Sequence, residues 1–136
     1  MGYLVNPIPK IVTARVFLTQ ADLLTPGFTI DPPEFAAVPG YFWKVIGASA
    51  QIVNGSTPYV GTSVIHIQAK TSNQPQFRII NTYMQSPVDT WNNVPIVNGN
   101  DIQYVVNDYL QVENNGTLTL GDTELNIFIS AILIQY

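Results

Sequence analysis

Apolar and polar residues alternate with period two along most of the chain, the pattern of half-buried β-strands. Over Ile11–Leu18, Val12, Ala14, Val16 and Leu18 share one face, with Thr13 and Arg15 on the other. Residues 44–52 set Ile46, Ala48, Ala50 and Ile52 on an apolar face, opposite Ser49 and Gln51. Residues 64–69 group Ile65, Ile67 and Ala69 and turn His66 and Gln68 outward. Shorter strands are expected over 77–80, 102–106, 109–113 and 117–120, and the longest over Glu124–Gln135. Between them lie turn clusters: Asn54-Gly55-Ser56-Thr57-Pro58, Thr71-Ser72-Asn73-Gln74-Pro75, Asn98-Gly99-Asn100-Asp101, Asn114-Asn115-Gly116 and Gly121-Asp122. Asn-Gly pairs tolerate positive φ and suit tight hairpins. A single helical turn is expected over 20–24, capped by Thr19 and stopped at Thr25-Pro26. About eight short strands predict an all-β fold: an antiparallel β-sandwich, jelly-roll-like, as one domain over residues 10–136.

Two details go beyond fold class. In residues 127–134 both faces are apolar: Ile127, Ile129, Ala131 and Leu133 on one, Phe128, Ile132 and Ile134 on the other. An outer strand of a two-layer sandwich needs only one apolar face. The second is covered either by loops of the same chain or by another subunit, and Phe128, Ile132 and Ile134 are the expected oligomer interface. The segment ahead of Ile11 carries Pro7 and Pro9, which do not suit a central strand. Residues 1–9 are therefore read as an N-terminal arm, either a disordered tail or a segment that docks on a neighbour.

Composition narrows the function classes. Of 136 residues, 46% are hydrophobic, enough for a core, while only 10% are charged. Polarity comes mainly from amides and hydroxyls, with 12 Asn, 12 Thr and 9 Gln. Five basic residues and a net charge of −4 give no footprint for a phosphate backbone, so no nucleic-acid partner is expected. The start of the chain lacks the charged n-region and apolar run of a signal peptide. The apolar stretch near the C-terminus spans about ten residues against the roughly 20 of a membrane helix, so no membrane insertion is expected. The chain is expected to stay in a cytoplasm or to be assembled there into something larger.

Chemistry is sparse. With no cysteine there is no disulfide, thiolate zinc site or Cys nucleophile. The single histidine, His66, is the only base for Ser49, Ser56, Ser63, Ser72, Ser86 or Ser130, and none sits in a Gly-x-Ser-x-Gly elbow. Asp101, Asp108, Glu113, Asp122 and Glu124 form the densest acidic region, but most lie beside turns, where Asp caps backbone groups. No calcium-loop or phosphate-cradling motif is present. No catalytic residue, metal or cofactor is expected. The remaining candidates are polar and aromatic residues in outward loops: Asn54, Tyr59, Trp91, Asn92 and Asn93. Aromatic faces beside amides suit sugar binding, which leaves a lectin-like or receptor-binding module for surface glycans as an alternative function. Asn54-Gly55-Ser56 and Asn115-Gly116-Thr117 match the N-glycosylation pattern but read better as turns.

Phe17-Leu18-Thr19-Gln20-Ala21-Asp22-Leu23-Leu24 leads through Pro26 and Phe28-Thr29-Ile30 to Val38-Pro39-Gly40-Tyr41-Phe42-Trp43-Lys44-Val45. Thr57-Pro58-Tyr59-Val60-Gly61 follows, and Gly116-Thr117-Leu118-Thr119-Leu120-Gly121-Asp122 precedes the final strand. This order resembles a loose group of small tailed-phage β proteins, over most of residues 10–70 and 115–136. The resemblance implies a non-enzymatic bacteriophage virion protein: a head fibre, a capsid decoration or a tail-associated component. It further implies a homo-oligomer, with a trimer favoured, placed in the virion against other virion proteins; contact with a host surface glycan belongs to the alternative reading of a binding module.

Overall fold

In a computed structural model, residues 10–53, 55–80, 90–93 and 104–135 are described. They form eight strands: β1 (Ile11–Leu18), β2 (Thr29–Ile30), β3 (Tyr41–Val53), β4 (Val60–Ala69), β5 (Gln74–Ile80), β6 (Thr90–Asn93), β7 (Leu110–Thr119) and β8 (Glu124–Gln135). One helical turn, α1 (Gln20–Leu23), follows β1, and a 3-10 turn spans Pro33–Phe35. The arm assigned to residues 1–9 lies outside the described residues.

The strands make two antiparallel four-stranded sheets, ordered β1-β8-β3-β6 and β2-β7-β4-β5. The chain changes sheet at every strand-to-strand step except β4 to β5, and the last strand pairs with the first. This is the jelly-roll order, so the expected fold class is the observed one. Between the sheets lies one core in which Val16, Leu18, Ile52, Ile65, Ile67, Val112, Leu125, Ile127 and Ile129 are at most 3% exposed. Phe35 closes one side of it, its ring edge-on to Trp43 with centroids 5.2 Å apart.

Short-range signals account for the ends of the elements. Thr19 caps α1 through a reciprocal box: its hydroxyl accepts from the Asp22 amide while the Asp22 carboxylate accepts from the Thr19 amide. The β4–β5 turn places Asn73 at φ 54°, a conformation that Asn tolerates.

Four expectations need correction. Residues 44–52 do not keep one phase: Ile46 is an extra residue between Val45 and Gly47, opposite a single step of β8. This bulge turns Trp43 and Val45 inward before it and Ala48, Ala50 and Ile52 inward after it, and leaves Ile46 outside, 45% exposed. Asn114-Asn115-Gly116 is not a turn but the middle of β7, so residues 110–113 and 117–119 belong to one strand and Asn115-Gly116-Thr117 is strand backbone. Tyr104–Val106 form no strand, while residues 102 and 103 lie outside the described residues. Gln68, although on the outward parity of β4, is 2% exposed because its amide is held by Gln111 and Glu113.

Candidate functional site

The outer face of the β1-β8-β3-β6 sheet collects the residues expected to form an interface. Register fixes their neighbours: Ile132 lies between Ile11 and Lys44, Phe128 between Arg15 and Ser49, and Ile134 beside Phe42. Phe128, Ile132 and Ile134 are half-buried, with Ile11 58% exposed next to Ile132. The bulge adds Ile46 to the same side, so one end of the face groups Ile11, Phe42, Ile46, Ile132 and Ile134 around the exposed Lys44. The Phe42 ring stacks on Tyr104 at 4.7 Å, which holds the rim of the patch. Towards the other end the face becomes polar. There Arg15 donates through Nε (2.9 Å) and Nη2 (2.7 Å) to Asn126 Oδ1, and its guanidinium lies over the Phe17 ring.

Of the residues expected in outward loops, Tyr59 and residues 91–93 are placed otherwise. Asn54 lies outside the described residues. Tyr59 does not face outward: it is 1% exposed, its ring sits over Gly121 and its hydroxyl donates to the Thr123 carbonyl. Burial is the main reason its pKa is pushed up to about 12. The turn beside it is tied down, since Asp122 Oδ1 accepts from the amides of Ser56 (3.0 Å) and Thr57 (2.7 Å). Those bonds hold the Asp122 pKa below the usual carboxylate range. Trp91, Asn92 and Asn93 are not in a loop: their backbone forms the edge strand β6, opposite Gln51, Ala50 and Ser49.

Acid–base chemistry finds no assembled centre among the described residues. His66 faces away from the core, with Glu113 and Arg78 in register on either side. Its pKa is lowered, chiefly by burial. Ser63 lies on the opposite face of β4, is buried, and donates its hydroxyl to Asn114 Oδ1. Asp108 and Asp122 sit at opposite ends of β7, roughly 30 Å apart by strand rise, so they cannot act as a pair. Asp108 accepts from the amides of Thr71 (2.6 Å), Ser72 (3.0 Å) and Tyr109 (2.9 Å) and from the Ser72 hydroxyl (2.6 Å). Asp101 lies outside the described residues. No group of three or more His, Asp or Glu among the described residues is placed to hold a metal ion. A crevice edged by Phe42, Trp43, Tyr104, Tyr109 and Leu110 is too shallow to take in even a water molecule. No helix among the described residues is long and apolar enough to cross a membrane.

Residue patterns alone did not indicate two polar constellations. Asn114, fully buried, accepts from Ser63 and donates through Nδ2 to the carbonyls of Leu23 (2.9 Å) and Thr25 (3.2 Å). It looks like a turn residue because Asn-Asn-Gly reads as a hairpin signal. On the outer face of the β2-β7-β4-β5 sheet, Gln68 Nε2 donates to Glu113 (3.0 Å) and Gln111 Nε2 to Asp31 (2.7 Å). Only strand register reveals that network. Neither a family model nor a curated protein matches this chain in sequence.

Proposed function

We propose that this protein is a non-enzymatic structural component of a bacteriophage virion, as a head fibre, capsid decoration or tail-associated protein, and that it works as a symmetric oligomer with three-fold symmetry favoured. The reading rests on the resemblance to small tailed-phage β proteins, and one structural observation carries it furthest. The outer face around β8 gathers Ile11, Phe42, Ile46, Ile132 and Ile134, with Lys44 among them, into a largely apolar patch on a jelly roll. Such a patch gains stability when a second surface removes it from water, at roughly 25 cal/mol per Å² of apolar area.

The mechanism is steric and adhesive. The core gives a stiff block, the β8 face joins copies, and residues 1–9 attach the assembly to the particle. The test is Ile132→Asp: an unpaired charge in the buried contact separates the subunits and releases them from labelled particles. An unchanged native mass for that variant contradicts the reading. The alternative, a glycan-binding module, loses Tyr59 as a contact residue, because its ring and hydroxyl are both occupied inside the protein. Binding on a glycan array that disappears in Trp91→Ala would revive it.

A further inference from the structure

The opposite sheet carries a different kind of surface. Its outer face has a row that crosses all four strands in register: Thr29 on β2, Glu113 on β7, His66 on β4 and Arg78 on β5. Strands are spaced about 4.8 Å apart, so Glu113 and Arg78 stand roughly 10 Å from each other with β4 between them. The Glu113 carboxylate is held by Gln68, whereas the exposed Arg78 makes no hydrogen bond among the described residues. Along β4 the outward stripe is Val60, Thr62, Val64 and His66, and Val60 is 53% exposed. The face is thus a mixed stripe of two valines, a threonine and a histidine, with one acid on its left and one base on its right.

We infer that this face packs against the same face of a second copy, about a two-fold axis that runs along β4 and between the two molecules. That rotation exchanges left and right, so Glu113 of each copy comes opposite Arg78 of the other. Val64 and His66 meet their own counterparts on the axis. The charge pattern is therefore self-complementary, which is what a closed two-fold contact requires. The charged groups facing His66 are Glu113 from β7 and Arg78 from β5, its two strand neighbours. Protonating two imidazoles brought face to face adds like charges at the centre of the contact, so acid weakens it.

This contact lies on the other sheet from the β8 face, so the two stand or fall separately. The experiment is sedimentation velocity in the Ile132→Asp background, at protein concentrations on the order of 100 µM, suited to a weak polar contact. At neutral pH the expected species is a dimer that loses association, by at least about tenfold in affinity, in Glu113→Arg, in Arg78→Glu and on acidification to about pH 5. Glu113→Gln keeps an acceptor for Gln68 and is expected to show the same loss with an unchanged circular dichroism spectrum. Mixing the two charge-reversed proteins one to one restores the dimer, because each then offers the charge that the other lacks. A mixture that sediments as two separate monomers overturns the proposal. So do single variants that still dimerise, or a parent that stays monomeric at every concentration.

Discussion

Asn114 and Ser63 meet inside the protein, the serine hydroxyl donating to the amide oxygen at 2.5 Å, in the strand pair that the sequence pattern breaks with a turn. Through the same carboxamide Asn114 also takes up the carbonyls of Leu23 and Thr25, at the end of α1. One side chain thus joins β4, β7 and the β1–β2 connection. Asn114→Ala leaves the serine hydroxyl and two carbonyls without this partner, at about 1–3 kcal/mol for each buried group left unsatisfied. The expected outcome is a loss of at least ~2 kcal/mol in urea unfolding, and a smaller loss for Ser63→Ala.

Gly116 explains why that strand runs straight through. A Cβ there would collide with the Thr62 carbonyl and with the Ser63 backbone. Gly116→Ala therefore forces β4 and β7 apart and is expected to lower the thermal midpoint by several degrees. Gly47, beside the β3 bulge, has nothing within 4 Å of its Cβ position, so Gly47→Ala is expected to leave the midpoint nearly unchanged. Differential scanning calorimetry on the pair checks both.

Asp108 ties the β4–β5 turn to the start of β7. Burial by itself would raise its pKa, but hydrogen bonds from the Ser72 hydroxyl and from the amides of Ser72, Thr71 and Tyr109 outweigh that and hold it below the usual carboxylate range. A lowered folded-state pKa stabilises the fold above the unfolded value near 3.9, and that contribution is lost as pH falls through the folded value. Asp108→Asn is expected to flatten the acid limb of the stability–pH curve, as read by urea midpoints between neutral pH and about pH 2.

Tyr59 works in the other direction. With its pKa pushed up to about 12, its contribution is intact below the unfolded value near 10 and fades as pH rises through 12. Tyr59→Phe is expected to reduce the loss of stability above about pH 10, read by urea midpoints, while the remaining tyrosines still ionise. It should also cost about 1 kcal/mol at neutral pH, through the lost bond to the Thr123 carbonyl.

Strand alternation was readable wherever one strand kept one phase. β1 and β8 follow their patterns residue by residue, and α1 starts at the expected cap. The pattern failed where backbone geometry departs from simple alternation. Ile46 is apolar and sits in an apolar run, but a one-residue bulge turns it outward. Asn114 and Gly116 have turn chemistry, yet one is a buried amide linker and the other a place where two backbones nearly touch. Tyr59 looks like a loop aromatic because its partners, Gly121 and Thr123, lie more than 60 residues later in the chain. The apolar second face of β8 was visible from residues 127–134 alone. Its extension by Ile11, Phe42 and Ile46 required the register and the bulge.

The native mass of the purified protein at micromolar concentration, by light scattering with and without Ile132→Asp, tests the central claim most directly. The account expects a mass about three times 15.0 kDa for the natural chain and a mass near 15.0 kDa for the variant. A natural chain that is monomeric, or a variant whose mass does not change, contradicts assembly through the outer face of β8.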